Sequence, residues 1–319
     1  MADRNTWVVG HGRPATHAEL TETFDVVIVG GGAAGLSAAL VLGRARRQVA
    51  VIDAGAPRNA PAAHMQGFLS RDGMPPAELL AVGREEVQRY GVELIDDEVV
   101  QVEEGLIVRL AGGKTLGARR LLIATGARDD LPEIPGAAER WGRDFLHCPY
   151  CHGWEVRDQP IGVLATQIGS VQHAHLLRQW SDDIAFFTHA QTISAQERTQ
   201  MAARGIDVID GRVARFVVED DRLTGVELDD GTVVARTAVF IRPANFPHAD
   251  GLIAQLRCEV DEHGFPAVDD TGRTSMAGVW AAGNIVDPRM QVITAAGAGN
   301  AAAIAINADL VAEDVSKSG

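Results

Sequence analysis

The sequence is poor in cysteine and in positive charge, and it has no long apolar run. Its 319 residues include only 3 cysteines, too few for a disulfide framework. It has 29 basic and 43 acidic residues, a net charge of −14, whereas binding to nucleic acid or anionic lipid requires a basic surface. No segment approaches the roughly 18 consecutive apolar residues of a membrane span. We therefore expect neither nucleic acid nor a membrane as a partner.

The N-terminal segment also lacks a targeting signal. Residues 1–22 are polar and aperiodic and contain no apolar h-region, so we expect a loose extension and a cytoplasmic protein. The rest is typical of a globular chain, since 46% of the residues are hydrophobic and 23% are charged. A chain of this length is expected to form about two domains.

A glycine-rich turn follows the first β-rich run. Strand Phe24–Val29 leads into Gly30, and a helix of small residues and leucines then begins near Ala33. The spacing of Gly30, Gly32 and Gly35 matches the dinucleotide fingerprint, in which bare backbone and a helix N-terminus hold a pyrophosphate. A second strand ends at Asp53, where an acid can accept hydrogen bonds from a ribose. The predicted cofactor contacts here are Gly30, Gly32, Ala33, Ala34, Gly35, Asp53 and Ala54; the alternative is a turn without a ligand.

The later pattern indicates one α/β domain interrupted by another. We predict helices at residues 75–90, 171–180 and 291–310, strands at 120–124, 161–165, 184–188 and 279–282, a meander at 91–116, a linker at 132–141, and a hairpin of 217–228 with 232–235. Residues 239–242 are interpreted as the return to the first domain. The predicted organisation is an extension at 1–22, a discontinuous nucleotide-binding domain at 23–142 and 240–319, and an inserted domain at 143–239.

Cys148 and Cys151 form a Cys-x-x-Cys motif between His147 and His152. A zinc site needs about four ligands, and only one cysteine pair is present, with Cys258 far away in the sequence. A covalent haem normally belongs to an exported protein, and a glutaredoxin places this motif near the start of its domain. The fourth interpretation is a redox-active disulfide, because this spacing commonly lowers one thiol pKa and makes the disulfide exchange-prone. We favour the fourth and predict no metal.

Three further motifs resemble FAD enzymes of the pyridine-nucleotide–disulfide reductase type. They are LLIATGA at residues 121–127, GVWAAGN at 278–284 and QVITAAG at 291–297. The resemblance covers residues 24–310 and is closest to the low-molecular-weight thioredoxin reductases. It implies a homodimer, FAD as cofactor, and two Rossmann-like domains of the three-layer ββα type, the second inserted into the first. It also implies flavin contacts from Thr125, Gly126, Ala127, Gly283, Asn284, Gln291 and Val292, with Asn284 standing where that family usually has Asp.

The resemblance also assigns roles around the cysteine pair. It implies that Cys151 faces the flavin and that Cys148 exchanges with substrate. His152 takes the place of an acidic residue in the reductases, and its imidazole can take a proton from an incoming thiol at neutral pH. His147 is a second candidate, and for both histidines the alternative is a local hydrogen bond. The string CPYCHGWE more closely resembles dithiol oxidases that close disulfides in natural products such as gliotoxin and holomycin.

The nicotinamide site of the reductases is missing from the sequence. The inserted domain should carry a second Gly-x-Gly loop, but residues 163–170 read VLATQIGS. The basic cluster that a 2′-phosphate needs is absent as well, since no arginine follows the next strand until Arg198. The sequence therefore argues against NADPH.

These observations predict an FAD-dependent dithiol oxidase. It would oxidise a dithiol, either a small molecule or a small redox protein, and pass the electrons to oxygen with formation of hydrogen peroxide. The alternative is a disulfide reductase of the thioredoxin reductase type that uses NADPH or another donor. A non-enzymatic redox sensor is a third possibility that the Cys-x-x-Cys motif disfavours.

Overall fold

The computed structural model describes residues 21–248 and 251–319. Within them the chain forms two α/β domains, the second inserted into the first, and this confirms the predicted fold class. Residues 1–20 of the predicted extension lie outside the described residues, and Glu22 already belongs to the first strand.

The first domain consists of two chain segments. Its first segment contains β1 (Glu22–Val29), α1 (Ala33–Arg44), β2 (Val49–Asp53), α2 (Pro76–Gln88), β3 (Glu93–Asp96), β4 (Val99–Glu103), β5 (Ile107–Leu110) and β6 (Thr115–Ile123). The strand β7 (Ala127–Asp130) then leads to the inserted domain.

The inserted domain and the remainder follow in chain order. The inserted domain contains α3 (Ala137–Arg140), β8 (Phe145–Leu146), α4 (Pro149–His152), β9 (Ile161–Leu164), α5 (Ser170–Leu177), β10 (Ile184–Phe187), α6 (Ala195–Ala203), β11 (Ile206–Ile209), β12 (Val213–Glu219), β13 (Arg222–Leu228), β14 (Val233–Ala235) and β15 (Ala238–Phe240). The return strand β16 (Ala244–Pro247) pairs with β7, and the first domain is completed by α7 (Leu252–Gln255), β17 (Val279–Ala281), a 3₁₀ turn (Gly283–Ile285) and α8 (Val292–Ser318).

β1 is central to the 7-stranded sheet of the first domain. It pairs in parallel with β2 and β6, and β3 and β17 extend the sheet at either side. Both faces of β1 are covered, as parallel strands require. Val26 and Ile28 pack towards α1 and α8, whereas Val27 and Val29 pack towards the antiparallel hairpin of β4 and β5. The domain therefore has three layers.

The inserted domain repeats this plan. Its 5-stranded parallel sheet has the order β11–β10–β9–β15–β8. β9 and β10 are completely buried, because α5 and α6 cover one face and the antiparallel sheet of β12, β13 and β14 covers the other. The second domain is thus also a three-layer ββα unit.

α8 is a core helix that lies directly on α1. Gly299 permits the contact, because a Cβ atom at this position would overlap the carbonyl oxygen of Ala34. By length and composition α8 could cross a membrane. Its last turns, however, carry Asp309, Glu313 and Asp314, which form ion pairs with arginines of the first domain: Arg47, Arg119, Arg120 and Arg273.

Several local predictions need correction. Residues 239–242 do not return to the first domain, because β15 lies between β9 and β8 in the inserted sheet; an apolar run buried on both faces does not reveal which sheet it joins. The segment 217–228 is not one strand, since Asp220 and Asp221 have positive φ angles of 47° and 59° and make the tight turn between β12 and β13. The predicted meander 91–116 includes β3, which is a parallel strand, and the linker 132–141 contains the short α3.

The contact between α1 and α8 can be tested with two glycines of α8. We expect Gly299→Ala to destabilise the protein by about 1–3 kcal/mol, because the added methyl forces two helices apart. Gly297 has no atom within 4 Å of a built Cβ, so Gly297→Ala is the matched control, with an expected gain of about 0.5–1 kcal/mol. Denaturant unfolding of both variants measures the difference in the free energy of unfolding. Equal values for the two variants would show that an added methyl group fits between α1 and α8.

Candidate active site between the domains

The glycine-rich turn is built around close backbone contacts. Gly30 has φ +107°, and a Cβ atom there would overlap the carbonyl of Ala124. A Cβ at Gly35 would overlap the carbonyl oxygen of Gly30, so glycine is required for α1 to pack against the turn. Gly32 has no atom within 4 Å of a built Cβ. Its backbone therefore faces open space, as the approach of a pyrophosphate requires.

Asp53 ends β2 beside this turn. Its carboxylate lies under Gly31, where a Cβ would come within 2.6 Å of Oδ2, and it accepts from Arg84 of α2 at 3.3 Å. Arg84 carries no sequence motif and was not predicted. Asp53 is placed to accept hydrogen bonds from ribose hydroxyls, and Arg84 orients it.

The predicted signature at the end of β6 lies on the opposite wall. Thr125 has a buried hydroxyl that finds no hydrogen-bond partner among residues 21–248 and 251–319. A built Cβ at Gly126 meets no atom within 4 Å, although this residue has φ +81°. An unsatisfied buried hydroxyl beside bare backbone is what a site for a polar ligand looks like before the ligand binds.

The loop before α8 supplies the third wall. Gly283 approaches α1 closely, since a Cβ there would lie 2.8 Å from that of Ala34. Asn284 donates its amide nitrogen to the carbonyl oxygens of Asp287 and Met290, both at 3.0 Å. The amide nitrogen is thus committed to the loop, and the amide oxygen is the atom that can serve a ligand hydroxyl. α8 then begins with Gln291 as its N-cap residue.

These walls enclose a cavity of about 620 Å³ that reaches from the glycine-rich turn to the cysteine pair. Most predicted cofactor residues line it: Gly30, Gly32, Ala33, Ala34, Asp53, Thr125, Gly126, Ala127, Asn284, Gln291 and Val292. Gly35, Ala54 and Gly283 do not line it, and Gly35 and Gly283 instead allow close packing behind it. The donor set and the bare backbone fit the FAD implied by the resemblance.

Cys148 and Cys151 are joined in a disulfide that lines the same cavity, with Cα atoms 5.2 Å apart. The Nε2 atom of Gln291 lies 4.0 Å from Sγ of Cys151. Cys151 is therefore the sulfur next to the start of α8, the side on which the resemblance places the flavin. The third cysteine, Cys258, is buried in the core of the first domain, 3.6 Å from the Thr274 hydroxyl.

Three of the histidines that line the cavity have lowered pKa values. The pKa of His147 is lowered to about 4, mainly by burial, with Asp129 opposing the shift and Arg58 and Arg242 adding to it. Burial also lowers the pKa of His152. His173 on α5, which sequence reasoning missed because no motif marks it, has a pKa lowered to about 3, again mainly by burial. All three are neutral at physiological pH, so they can accept protons.

His173 also supports the cysteine segment. Its ring forms a hydrogen bond with the backbone of His147, the residue before Cys148. Its Nε2 atom is buried and has no partner within the described part of the chain. α5 therefore contacts the segment before the disulfide through this side chain.

Aromatic side chains lie on the solvent side of the motif. Tyr150 and Trp154 are each 65% exposed, so neither side chain belongs to the core. Tyr150 packs edge-on against Trp180, and the Arg157 guanidinium lies over the Trp154 ring. The disulfide thus has an aromatic rim at the surface.

The loop that would hold a nicotinamide nucleotide is closed by its own side chains. The Ser170 hydroxyl accepts from the backbone N–H groups of Thr166 and Gln167, which would otherwise be free for a phosphate. Thr166 and Gln167 in turn donate to the carbonyl oxygen of Arg242 at 2.7 and 2.9 Å. His189, after the next strand, accepts from Val213 N–H. These residues do not fit a dinucleotide phosphate.

Comparisons with known proteins agree with this geometry. The model of the pyridine nucleotide-disulphide oxidoreductase family matches residues 24–299. The chain is 31% identical to thioredoxin reductase sirT of Leptosphaeria maculans, over 92% of this chain and 96% of that protein. It is 30% identical to thioredoxin reductase of Streptomyces coelicolor, over 89% and 93% respectively. The crystal structure of HlmI superimposes with a TM-score of 0.90 at 55% identity, covering 95% of this chain and 96% of that chain.

Two other solved thioredoxin reductases superimpose very differently on this chain. They are 26% and 28% identical to it and each covers 91% of it, yet their TM-scores are 0.82 and 0.52. Similar identity and coverage therefore do not by themselves fix how closely a solved relative superimposes on this chain.

The buried histidines predict how stability depends on pH. Between pH 6.5, the ordinary histidine value, and about 4, the unfolded chain binds protons that folded His147 does not, so the free energy of unfolding should decrease as pH falls through this window. We expect His147→Asn to flatten the dependence, whereas the exposed His263→Asn should leave it unchanged. Urea unfolding at several pH values measures the slopes, and equal slopes for all three proteins would contradict the assignment.

Proposed function

We propose that this chain, which belongs to the pyridine nucleotide-disulphide oxidoreductase family, is an FAD-dependent dithiol oxidase. It would close a disulfide in a dithiol substrate through Cys148–Cys151 and deliver the electrons to oxygen. The observation that carries the proposal is the contrast between its two nucleotide sites. The first-domain cavity is open and contains the disulfide, whereas the inserted-domain loop is closed by hydrogen bonds of Thr166, Gln167 and Ser170.

FAD is assigned to the first-domain cavity. The N-terminus of α1 and the backbone of Gly32 would take the pyrophosphate, Asp53 the ribose hydroxyls, and Asn284 a hydroxyl of the flavin side chain. Gln291 and the N-terminus of α8 would face the pyrimidine end, where a helix N-terminus favours negative charge. When bound, FAD supplies an acceptor of two electrons that molecular oxygen can reoxidise.

The thiol chemistry belongs to the cysteine pair. A substrate thiolate attacks Sγ of Cys148, which breaks the Cys148–Cys151 bond and leaves Cys151 as a thiolate beside Gln291. The second substrate thiolate then attacks the substrate sulfur of the mixed disulfide and releases Cys148. The substrate loses two electrons and two protons, and the enzyme disulfide gains the electrons. The net reaction is dithiol plus O₂ to disulfide plus hydrogen peroxide.

The neutral histidines would receive the protons. His152 follows Cys151 directly, and His147 precedes Cys148, so one imidazole stands at each end of the motif. Their lowered pKa values leave both imidazoles neutral, with a nitrogen lone pair that can accept the proton of an incoming thiol, and make each a weaker base than an exposed histidine. We assign proton transfer to His152 and, secondarily, to His147.

The alternative is a disulfide reductase, and the names of the relatives favour it. A reductase would use NADPH or another donor to reduce the same disulfide. The closed loop at Thr166–Ser170 argues against the nucleotide.

The substrate is proposed to be a small-molecule dithiol or a small redox protein, because the rim of Tyr150 and Trp154 can contact either. The homodimer and the cytoplasmic location stay predictions.

An anaerobic titration separates the oxidase from the reductase. We expect excess dithiothreitol to bleach the flavin band and NADPH to leave it unchanged, because only the dithiol has a route to the cavity. Admission of air should release about one equivalent of hydrogen peroxide per dithiol oxidised and restore the colour once the dithiothreitol has been consumed. Rapid bleaching by NADPH would instead establish a reductase.

Single cysteine variants test the route. We expect Cys148→Ser and Cys151→Ser each to reduce flavin bleaching by dithiothreitol by at least about 10²-fold. A lone thiol cannot form the disulfide that accepts two electrons from the dithiol, and so it cannot pass them on as the reduced cysteine pair does. Cys258→Ala is the control, because Cys258 lies outside the cavity, and it should bleach at the wild-type rate. Comparable bleaching of all three variants would mean that the dithiol reduces the flavin directly.

A further inference from the structure

We propose that Arg58 and Asp129 are positioning residues that fix the inserted domain in the one orientation that brings Cys148–Cys151 to the first-domain cavity. Arg58 follows β2, and Asp129 lies in β7. Neither residue belongs to a motif singled out by the sequence. The inference does not depend on the direction in which electrons flow through the disulfide.

A two-stranded ribbon joins the domains. β7 carries the chain into the inserted domain and β16 carries it back, and the two strands pair antiparallel with Asp129 opposite Asn245. A rotation of the inserted domain that carries the ribbon with it must move the ribbon relative to the first domain. Contacts that tie the ribbon to the first domain therefore restrict the rotation.

Arg58 makes such contacts with two partners, one in the ribbon and one in a loop of the first domain. Its Nε and Nη2 atoms donate to the two carboxylate oxygens of Asp129 at 2.9 and 2.5 Å. Its Nη1 atom donates to the carbonyl oxygen of Pro288, in the loop before α8, at 2.6 Å. Asn245 donates to the same Asp129 carboxylate from the other strand at 2.7 Å. One guanidinium thus connects both strands of the ribbon with two loops of the first domain.

The ion pair is well shielded from water. The side chains of Arg58 and Asp129 are only 19% and 9% exposed. Bidentate charge-assisted pairs hold a defined geometry, and loss of one partner from a shielded pair leaves an uncompensated charge. We call the ion pair of Arg58 with Asp129 the clamp. It is expected to be either intact or broken, whereas an exposed ion pair would loosen gradually.

A second contact acts on the same side of the cavity. Gly142 lies just before β8, and a Cβ there would come within 2.9 Å of the Pro61 backbone. In the segment 57–61 of the first domain, Arg58 therefore contacts the ribbon and Pro61 contacts the inserted domain. Both contacts line the same cavity as the disulfide, whose Cys151 lies next to Gln291 of the first domain.

The closed nucleotide loop ties the inserted domain to the ribbon. Gln167 donates to the carbonyl oxygens of Arg242 and Pro243, which directly precede β16. The inserted domain is thus bound to one end of the ribbon, and Arg58 binds the ribbon to the first domain.

The test is a distance between the domains. Spin labels attached through a ketone-bearing amino acid at Val100 and Val233 report it, because these residues are 49% and 53% exposed and lie in β4 and β14. We expect one narrow distribution in the wild type, a broad or doubled one in Arg58→Met and Asp129→Asn, and partial restoration in Arg58→Lys. Arg198→Met, which breaks the Arg198–Asp210 pair within the inserted domain, is the matched control and should match the wild type.

Two results would overturn the proposal. One is a wild-type protein that already shows two inter-domain distances. The other is an unchanged distribution in every clamp variant that retains the wild-type circular dichroism spectrum. Because the labels report on the oxidised enzyme without substrate, failure of the dithiol oxidase proposal would not affect this result. As a second readout, we expect Arg58→Met to slow flavin bleaching by dithiothreitol about tenfold or more, since misplaced reacting groups lose rate steeply.

Discussion

The backbone contact between α1 and α8 is the constraint on which the rest of the site depends. Two helices approach closely because Gly299 presents no side chain to Ala34. Their N-termini consequently open on one cavity, α1 at the glycine-rich turn and α8 at Gln291. One end can hold a pyrophosphate and the other can favour a negatively charged ring, so a single packing contact sets the distance between two electrostatic functions.

The inserted domain has the same architecture but uses it for another purpose. Its α5 begins after a turn in which the Ser170 hydroxyl accepts from the backbone N–H groups of Thr166 and Gln167, so these N–H groups are not free for a phosphate. The helix also supplies His173, whose ring contacts the backbone of the residue before Cys148. A fold that binds nucleotides has here become a support for a disulfide, and the ribbon of β7 and β16 carries this support to the cavity.

The parts of the fold that follow from local pattern could be predicted from sequence. The Gly30–Gly35 turn, the cysteine motif and the apolar strands have periodicities or spacings that a short segment reveals. Pairing partners could not be predicted in the same way, because β3 and β15 are short strands that several sheets could accept. Arg58, Asp129 and His173 were missed since their roles arise from contacts with residues 230, 116 and 26 positions away in the chain. No local window contains such information.

The three cysteines have one practical consequence. Two of them are joined to each other, and the third, Cys258, is buried with its thiol pKa raised by burial. An alkylating reagent needs an accessible thiolate. The oxidised folded protein consequently offers it no reactive sulfur, whereas reduction exposes a pair and global unfolding exposes the third. The number of sulfurs alkylated per chain thus distinguishes the oxidised, the reduced and the unfolded states of this protein without reference to its colour.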